Sequence, residues 1–400
     1  MSPQVAVPAA ARAEQVAEPD RQRALLLALG AGAFMVNLDS RVVAPLLPLM
    51  ANELHVSLTQ AGWLVSAYML PYGLFQLAYG PIADRIGKIN VCAHALAAFS
   101  VGTALCAYWP SFGAIVALRA LTGAAAAGLI PLTIAYIGDT VPYDRRQAAL
   151  AALMASSGAA NAFSTSAGGS IAAAFSWRAV FPCLGILSGV VTIALYALRG
   201  RALHVQSGTR PSFVAAARTP RLARLLLLVG TEGFLYQGAF SYLSGLLDRR
   251  FGWSTSQIGL GLALTGVAQL LTATVVSRWF GRLSQSALLL TGGAAVSGAF
   301  VACGFAPNGG VVALACALLG GGFIACHTTL QMHATEALPA SRATALALFA
   351  FSLFLGSGLG AVSAGAALPL LGFTWLFVGT GLAFLVFALV ADKTLAREHT

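Results

Sequence analysis

The sequence predicts an all-α membrane protein: twelve transmembrane helices in two pseudo-symmetric bundles of six. Three observations carry that expectation: a composition suited to lipid, twelve apolar runs long enough to cross a bilayer, and a strong sidedness of the positive charges. Of the 400 residues, 58% are hydrophobic and only 9% are charged. A soluble domain carries about a quarter charged residues and could not cover its surface with so few.

A helix crossing a hydrocarbon core about 30 Å thick needs about 20 mostly apolar residues. Residues 1–23 have no apolar centre and mix Ala, Pro, Gln and Arg with Glu14, Glu18 and Asp20. They read as a disordered cytoplasmic tail, not an export signal. The first bundle, 24–198, holds runs at 24–47, 59–80, 90–109, 112–136, 147–174 and 178–198. The second, 222–391, holds 222–247, 257–279, 286–306, 310–333, 342–368 and 372–391. The longest runs are expected to tilt or kink. Between the bundles lies the one long connection, the basic segment 199–221, and 392–400 forms a short tail.

With the amino terminus inside, eighteen of the 23 Lys and Arg residues fall in inside segments, and only Arg178, Arg249 and Arg250 fall outside. Positive residues mark cytoplasmic loops, so both termini and the linker are expected in the cytoplasm. This placement explains the net charge of +10 without a nucleic-acid partner. The use of 21 arginines against two lysines hints at a GC-rich bacterial genome, and thus at a bacterial inner membrane. The six cysteines lie in apolar runs with no Cys-x-x-Cys spacing and read as small buried hydrophobes. No metal and no cofactor is expected.

The halves resemble each other. At an offset of 197 residues, Asp139, Pro142 and Arg145 fall on Glu336, Pro339 and Arg342, and Gly123 falls on Gly320. At 194, Gly87-Lys88 falls on Gly281-Arg282. Parallel repeats of this kind place substrate near the membrane midplane, between the halves.

Between the second and third runs stands "YGPIADRIGKIN", where scarce charges are concentrated. Gly80 would allow close helix approach and Gly87 a tight turn. Gly80, Asp84, Arg85, Gly87 and Lys88 match the Gly-x-x-x-Asp-Arg-x-Gly-Arg/Lys signature, and here the chain resembles the major facilitator superfamily. The resemblance implies a conformational latch, in which Asp84 bridges the halves in one state and releases in the other. "LDSRVVAPLLP" resembles the first-helix pattern of drug:proton antiporters at Leu38, Asp39 and Pro48, although Arg41 and Ala44 depart from it. "RALTGAAAAG" resembles the fourth-helix signature at Arg119 and Gly123, and "SWRAVF" resembles the opening of the sixth helix in many family exporters. In the fifth helix, Ala160, Ser164 and Thr165 replace the Gly, Gly and Pro of the antiporter signature. A small-residue face survives; the Gly-Pro kink does not.

A charge at the bilayer centre costs at least about 2.5–3.5 kcal/mol, so few persist without a purpose. Asp39 and Glu232 lie in the first run of each half and are the candidate proton carriers, with Arg119 beside Asp39 and His327 also able to titrate. A static ion pair of Asp39 with Arg119 or Arg41 is the plainer alternative. Arg41 could face the central cavity and attract an anion, or snorkel to the interface. Asn37, Asn161, Tyr236, Gln237, Gln269 and Gln331 are further candidates to line the cavity.

These features predict a secondary active transporter, not an enzyme, moving a small organic compound such as a drug, metabolite or siderophore outward in exchange for protons. A monomer in membrane lipid is expected. Proton-coupled import of an organic acid or nutrient is the alternative within transport. A polytopic membrane enzyme would need a cluster of catalytic acids, histidines or metal ligands, and a sensor would need an added soluble domain. Neither is present in the sequence.

Overall fold

The computed structural model describes residues 9–199, 213–279, 284–338 and 341–396, and among them every regular element is helical. Residues 200–212 of the linker, and Gly281, Arg282 and Pro339 of the repeat, lie outside the described residues.

The first crossing is α1 (Ala9–Val42), followed by a 3-10 turn (Ala44–Leu46) and α2 (Leu47–Glu53). Pro45 and Pro48 stand in the first turn of these two short elements. There a missing backbone N–H is tolerated, whereas it would break a continuing helix. Residues 9–23, expected as a disordered tail, instead prolong α1; their Ala, Glu, Gln and Arg are strong helix formers. The other crossings of this half are α3 (Leu58–Ala61) with α4 (Trp63–Ile86), α5 (Lys88–Leu105), α6 (Phe112–Ala126) with α7 (Leu129–Thr140), α8 (Tyr143–Ala174) and α9 (Trp177–Leu198).

The second half repeats the plan. A short α10 (Phe213–Ala217) leads into α11 (Pro220–Phe240) and α12 (Leu243–Phe251), then α13 (Thr255–Trp279), α14 (Gln285–Phe305) and α15 (Gly309–Ala337). The last element, α16 (Arg342–Ala396), contains two crossings, because Gly372 at φ 66° and ψ 174° breaks the helix after Pro369. Several starts are capped by side chains the sequence makes visible: Ser57 in a reciprocal box with Gln60, and Ser111, Ser284 and Asn308.

Among the described residues, eight helical stretches are long and apolar enough to cross a membrane, and the one at Thr344–Ala396 is two crossings. The three further crossings, α4, α8 and the α11–α12 pair, are less apolar. They meet the other half or carry the buried Glu232 and Gln237. Leu27, Val101, Ile186, Val190, Ile193 and Leu314 stand exposed on the outer wall. Such a surface suits lipid.

The halves meet along two seams, α4 against the first part of α16 and α8 against α13. Small residues let these backbones approach. A Cβ on Gly266 would lie 2.3 Å from Ala162 Cα, and one on Gly259 would lie 2.4 Å from Thr165 O. The small-residue face expected on the fifth crossing is therefore used, against the eighth.

At the end remote from the termini, the seam is tied. Thr59 donates its hydroxyl across it to Gly365 O at 2.9 Å, while within the second half Tyr242 donates to Ala361 O at 3.0 Å. The Tyr242 oxygen sits 2.0 Å from where a Cβ on Gly62 would stand and 2.2 Å from one on Gly365. Tyr242 occupies the break between α11 and α12 and is fully buried.

Candidate functional site

Four ionisable side chains form two buried pairs, one in each half. In the first, α1 presents Asp39 and α6 presents Arg119, whose Nη1 donates to Asp39 Oδ2 at 2.6 Å. Nη2 lies 3.4 Å from the Asp39 carbonyl, and the guanidinium covers the Tyr68 ring at 4.3 Å. Their exposures are 0% and 1%. Close approach of α6 to α4 is possible because Gly123 lies against Tyr68 O. Ser164, one of the departures from the antiporter signature, donates to Leu38 O. It stitches α8 to α1 beside Asp39.

In the second half, Glu232 on α11 accepts from His327 Nδ1 on α15 at 3.0 Å. Glu232 is fully buried, whereas His327 retains 16% exposure. The imidazole stacks on Phe323 at 5.0 Å and meets Phe349 edge-on at 5.1 Å, and Phe323 in turn stacks on Tyr236 at 4.3 Å. Asp39 and Glu232 lie 193 residues apart, each on the first crossing of its half and each facing a base on the fourth. In both acids the second oxygen, Asp39 Oδ1 and Glu232 Oε1, is buried and has no hydrogen-bond partner.

Arg41 reaches across the seam. Its Nη1 donates to Gln237 Oε1 at 3.1 Å, and its guanidinium carbon lies 5.6 Å from the Phe240 ring centre. It stands between the halves and does not run out along the lipid. Asn37 is spent within the first half, donating to Ala33 O and Ser157 Oγ. The backbone at Asn161 lies against Gly266 of α13, placing this residue at the seam. Gln269 is buried on α13, and Gln331 is half-buried one turn beyond His327 on α15.

The loop motif is built as expected at its turn. Gly87 has φ 89°, which disfavours any side chain. Lys88 Nζ reaches Asp139 Oδ2 at 2.7 Å, bracing α5 to the end of α7 inside the first half. Asp84 and Arg85 are exposed at the end of α4, and Gly80 is half-buried one turn earlier. The bridge described for this motif is Lys88–Asp139, within the first half. In the sixth-helix motif, Trp177 Nε1 donates to Glu53 Oε2 at 2.6 Å and Arg178 donates to Ala107 O and Trp109 O. These bonds staple the remote end of the first half.

Sequence reasoning missed Tyr68, Phe323 and Phe349. Phe323 stands four residues before His327, a helical spacing that could have flagged it; Tyr68 and Phe349 come from other helices and left no local signal. A separate cavity of about 450 Å³ opens at the remote end, lined in part by Asn52, His55, Asp248, Arg249 and Thr255. Its lining contains neither acid pair.

The family model described as Major Facilitator Superfamily matches residues 29–361. The uncharacterized MFS-type transporter YceJ of Bacillus subtilis is 31% identical over 283 residues, covering 69% of this chain and 71% of that protein. The multidrug efflux pump LfrA of Mycolicibacterium smegmatis is 32% identical, covering 41% of this chain and 32% of that protein. For the tetracenomycin C resistance and export protein of Streptomyces glaucescens, the values are 31% identity, 39% of this chain and 29% of that protein. The matched stretch thus spans about a third of each of these two relatives.

Among solved structures, a bacterial homolog of the human lysosomal transporter Spinster, inward-facing and unoccupied, superposes with a TM-score of 0.74 at 18% identity, over 94% of this chain and 96% of that one. A peptide transporter in complex with sulfate gives 0.77 at 14%, over 93% and 94%. At such identities the likeness is one of fold. With twelve helical crossings in two similar halves, a matching family model over most of its length and the loop motif in place, the chain belongs to the major facilitator superfamily.

Proposed function

We propose that this transporter is a proton-driven exporter of small organic compounds, working by alternating access in a bacterial plasma membrane with both termini in the cytoplasm. The observation that carries the reading is the pair of buried acid–base contacts, one per half, each with a carboxyl oxygen left without a partner. Buried charges in a bilayer are costly, and where they persist they mark ion and proton pathways. The direction is supported by relatives whose names specify efflux, export and resistance.

In this scheme the remote end is the outer gate, closed by the Tyr242 seat and by the Arg41–Gln237 bond. Substrate enters from the cytoplasmic side. Rocking of one half against the other then breaks these contacts and opens the opposite side. Protonation of a buried acid changes the charge that must be carried through the closed intermediate, and so ties the rocking to the proton gradient.

A second reading, import of a small organic acid with protons, is favoured by Arg41, a cation placed between the halves. The two readings separate in one experiment. An exporter-deficient bacterium expressing the chain is challenged with a compound panel, in whole cells and in inverted membrane vesicles. Export requires lower accumulation in cells and higher accumulation in inverted vesicles, both abolished by a protonophore. The reverse pattern establishes import, and insensitivity to the protonophore removes proton coupling.

A further inference from the structure

We infer that the cargo is a small organic monocarboxylate, and that its carboxylate displaces Gln237 from Arg41, which frees the outer gate. This rests on the transport reading above and adds a cargo class to it, whichever way the cargo moves.

Of the 23 Lys and Arg residues, two fall within the crossings, Arg41 and Arg119. Arg119 has Asp39 as its counter-charge at 2.6 Å. Arg41 has no such partner among the described residues. Its guanidinium makes one hydrogen bond there, to the neutral Gln237 Oε1, and lies 5.6 Å from the Phe240 ring centre. Asp39, two residues away on the same helix, is held by Arg119, and Glu232 on α11 is held by His327. A positive charge inside the bilayer is costly without a counter-charge. Arg41 is also a departure from the antiporter pattern, so the packing of the first crossing does not itself call for a cation there. The missing negative charge is therefore expected to arrive with the cargo.

Arginine presents five N–H donors in a planar fork and matches a carboxylate through two parallel bonds. Gln237 takes one of them, and Arg41 is half-buried, so the fork keeps donors free for a ligand between the halves. One unmatched cation calls for one negative charge, which selects a monocarboxylate over a phosphate or a dicarboxylate. Beside Arg41 stands an aromatic column, Phe240 on Tyr236 at 5.8 Å and Tyr236 on Phe323 at 4.3 Å. Such surroundings suit an apolar body behind the charged group.

A charge-assisted hydrogen bond is about twice as strong as a neutral one, so a carboxylate outcompetes the Gln237 amide. Losing Gln237 matters because of its place. Arg41 belongs to the first half and Gln237 to the second, so their bond ties the seam. The Gln237 carbonyl accepts from both the N–H and the hydroxyl of Ser241, at the break where Tyr242 is seated. In the empty carrier Gln237 occupies the cation and holds the tie. In the loaded carrier the tie is gone, and the outer end opens more often.

Purified full-length protein in lipid nanodiscs is unfolded thermally with decanoate, benzoate and 2-naphthoate, each compared with its own uncharged primary amide. At least one acid should raise the midpoint where its amide does not. Arg41→Gln should weaken binding of that acid by about tenfold or more. Gln237→Ala, which removes the competitor, should tighten it by about threefold. General destabilisation does not produce these opposite signs. With Thr59→Cys added, labelling by a polar maleimide should rise when the acid is bound, and should already be high without it in Gln237→Ala. Three results overturn the proposal: no acid preferred to its amide in wild type, a preference that survives Arg41→Gln, or weaker binding in Gln237→Ala. None of these readouts uses a gradient. Loss of proton coupling or a reversed direction would leave them standing, and their failure would leave proton-driven export in place.

Discussion

Arg119 shows what a single buried charge demands of its surroundings. Removing it leaves the buried Asp39 carboxyl without its partner, so Arg119→Ala should destabilise the protein by about 3–5 kcal/mol. The Asp39→Asn, Arg119→Ala double variant should recover most of that loss, a non-additivity read from thermal unfolding in detergent. Ser164→Gly, which restores the usual antiporter residue, should cost about 1 kcal/mol because Leu38 O loses its donor; the same unfolding assay checks it. The pairing of Asp39 with Arg119 was legible in the sequence because few charges sit so deep in apolar runs. Glu232 with His327 was not, although both were singled out. The two are 95 residues apart, and a helix apolar on nearly all sides does not announce which face meets its neighbour. Arg41 had two open fates for the same reason, and only the contact with Gln237 decides between them.

At the scale of helices, glycine placement governs how the halves fit. Gly62→Ala would put a methyl group into the Tyr242 hydroxyl, so the ring must leave its seat. The expected result is a remote end that opens more often. Labelling of an introduced Thr59→Cys by a membrane-impermeant maleimide should rise several-fold, and unchanged labelling would mean the seat does not hold the gate. Gly266→Leu, on the α8–α13 seam, should instead push the halves apart and lower the yield of folded protein, measured by monodisperse elution in detergent. The crossings themselves could be read from run length, and the break near Pro45 and Pro48 from proline chemistry. The break at Tyr242 carries no such mark. Ser241 and Tyr242 are ordinary helix residues, and the interruption there reflects packing against Gly62 and Gly365, more than 100 residues away along the chain in either direction.

For the molecule as a whole, the sidedness of Lys and Arg makes a topological prediction. A reporter that fluoresces only in the cytoplasm, fused after Thr400, should be bright, whereas one fused into the Trp109–Ser111 loop should be dark. The two-halved plan was visible in the repeat, because each half solves the same packing problem with similar residues. The extension of α1 back to Ala9 was not, since a polar segment can be helical or irregular with equal composition.

The break at Gly372 also bears on how the protein enters the membrane. From Arg342 to Asp392 the chain contains no charged residue between the two, and the turn joining the last two crossings is made around one glycine with positive φ. Nothing in that turn tells the insertion machinery which way either helix should point. The pair is therefore expected to insert together as one hairpin, oriented by Arg342 at its entrance and Lys393 at its exit.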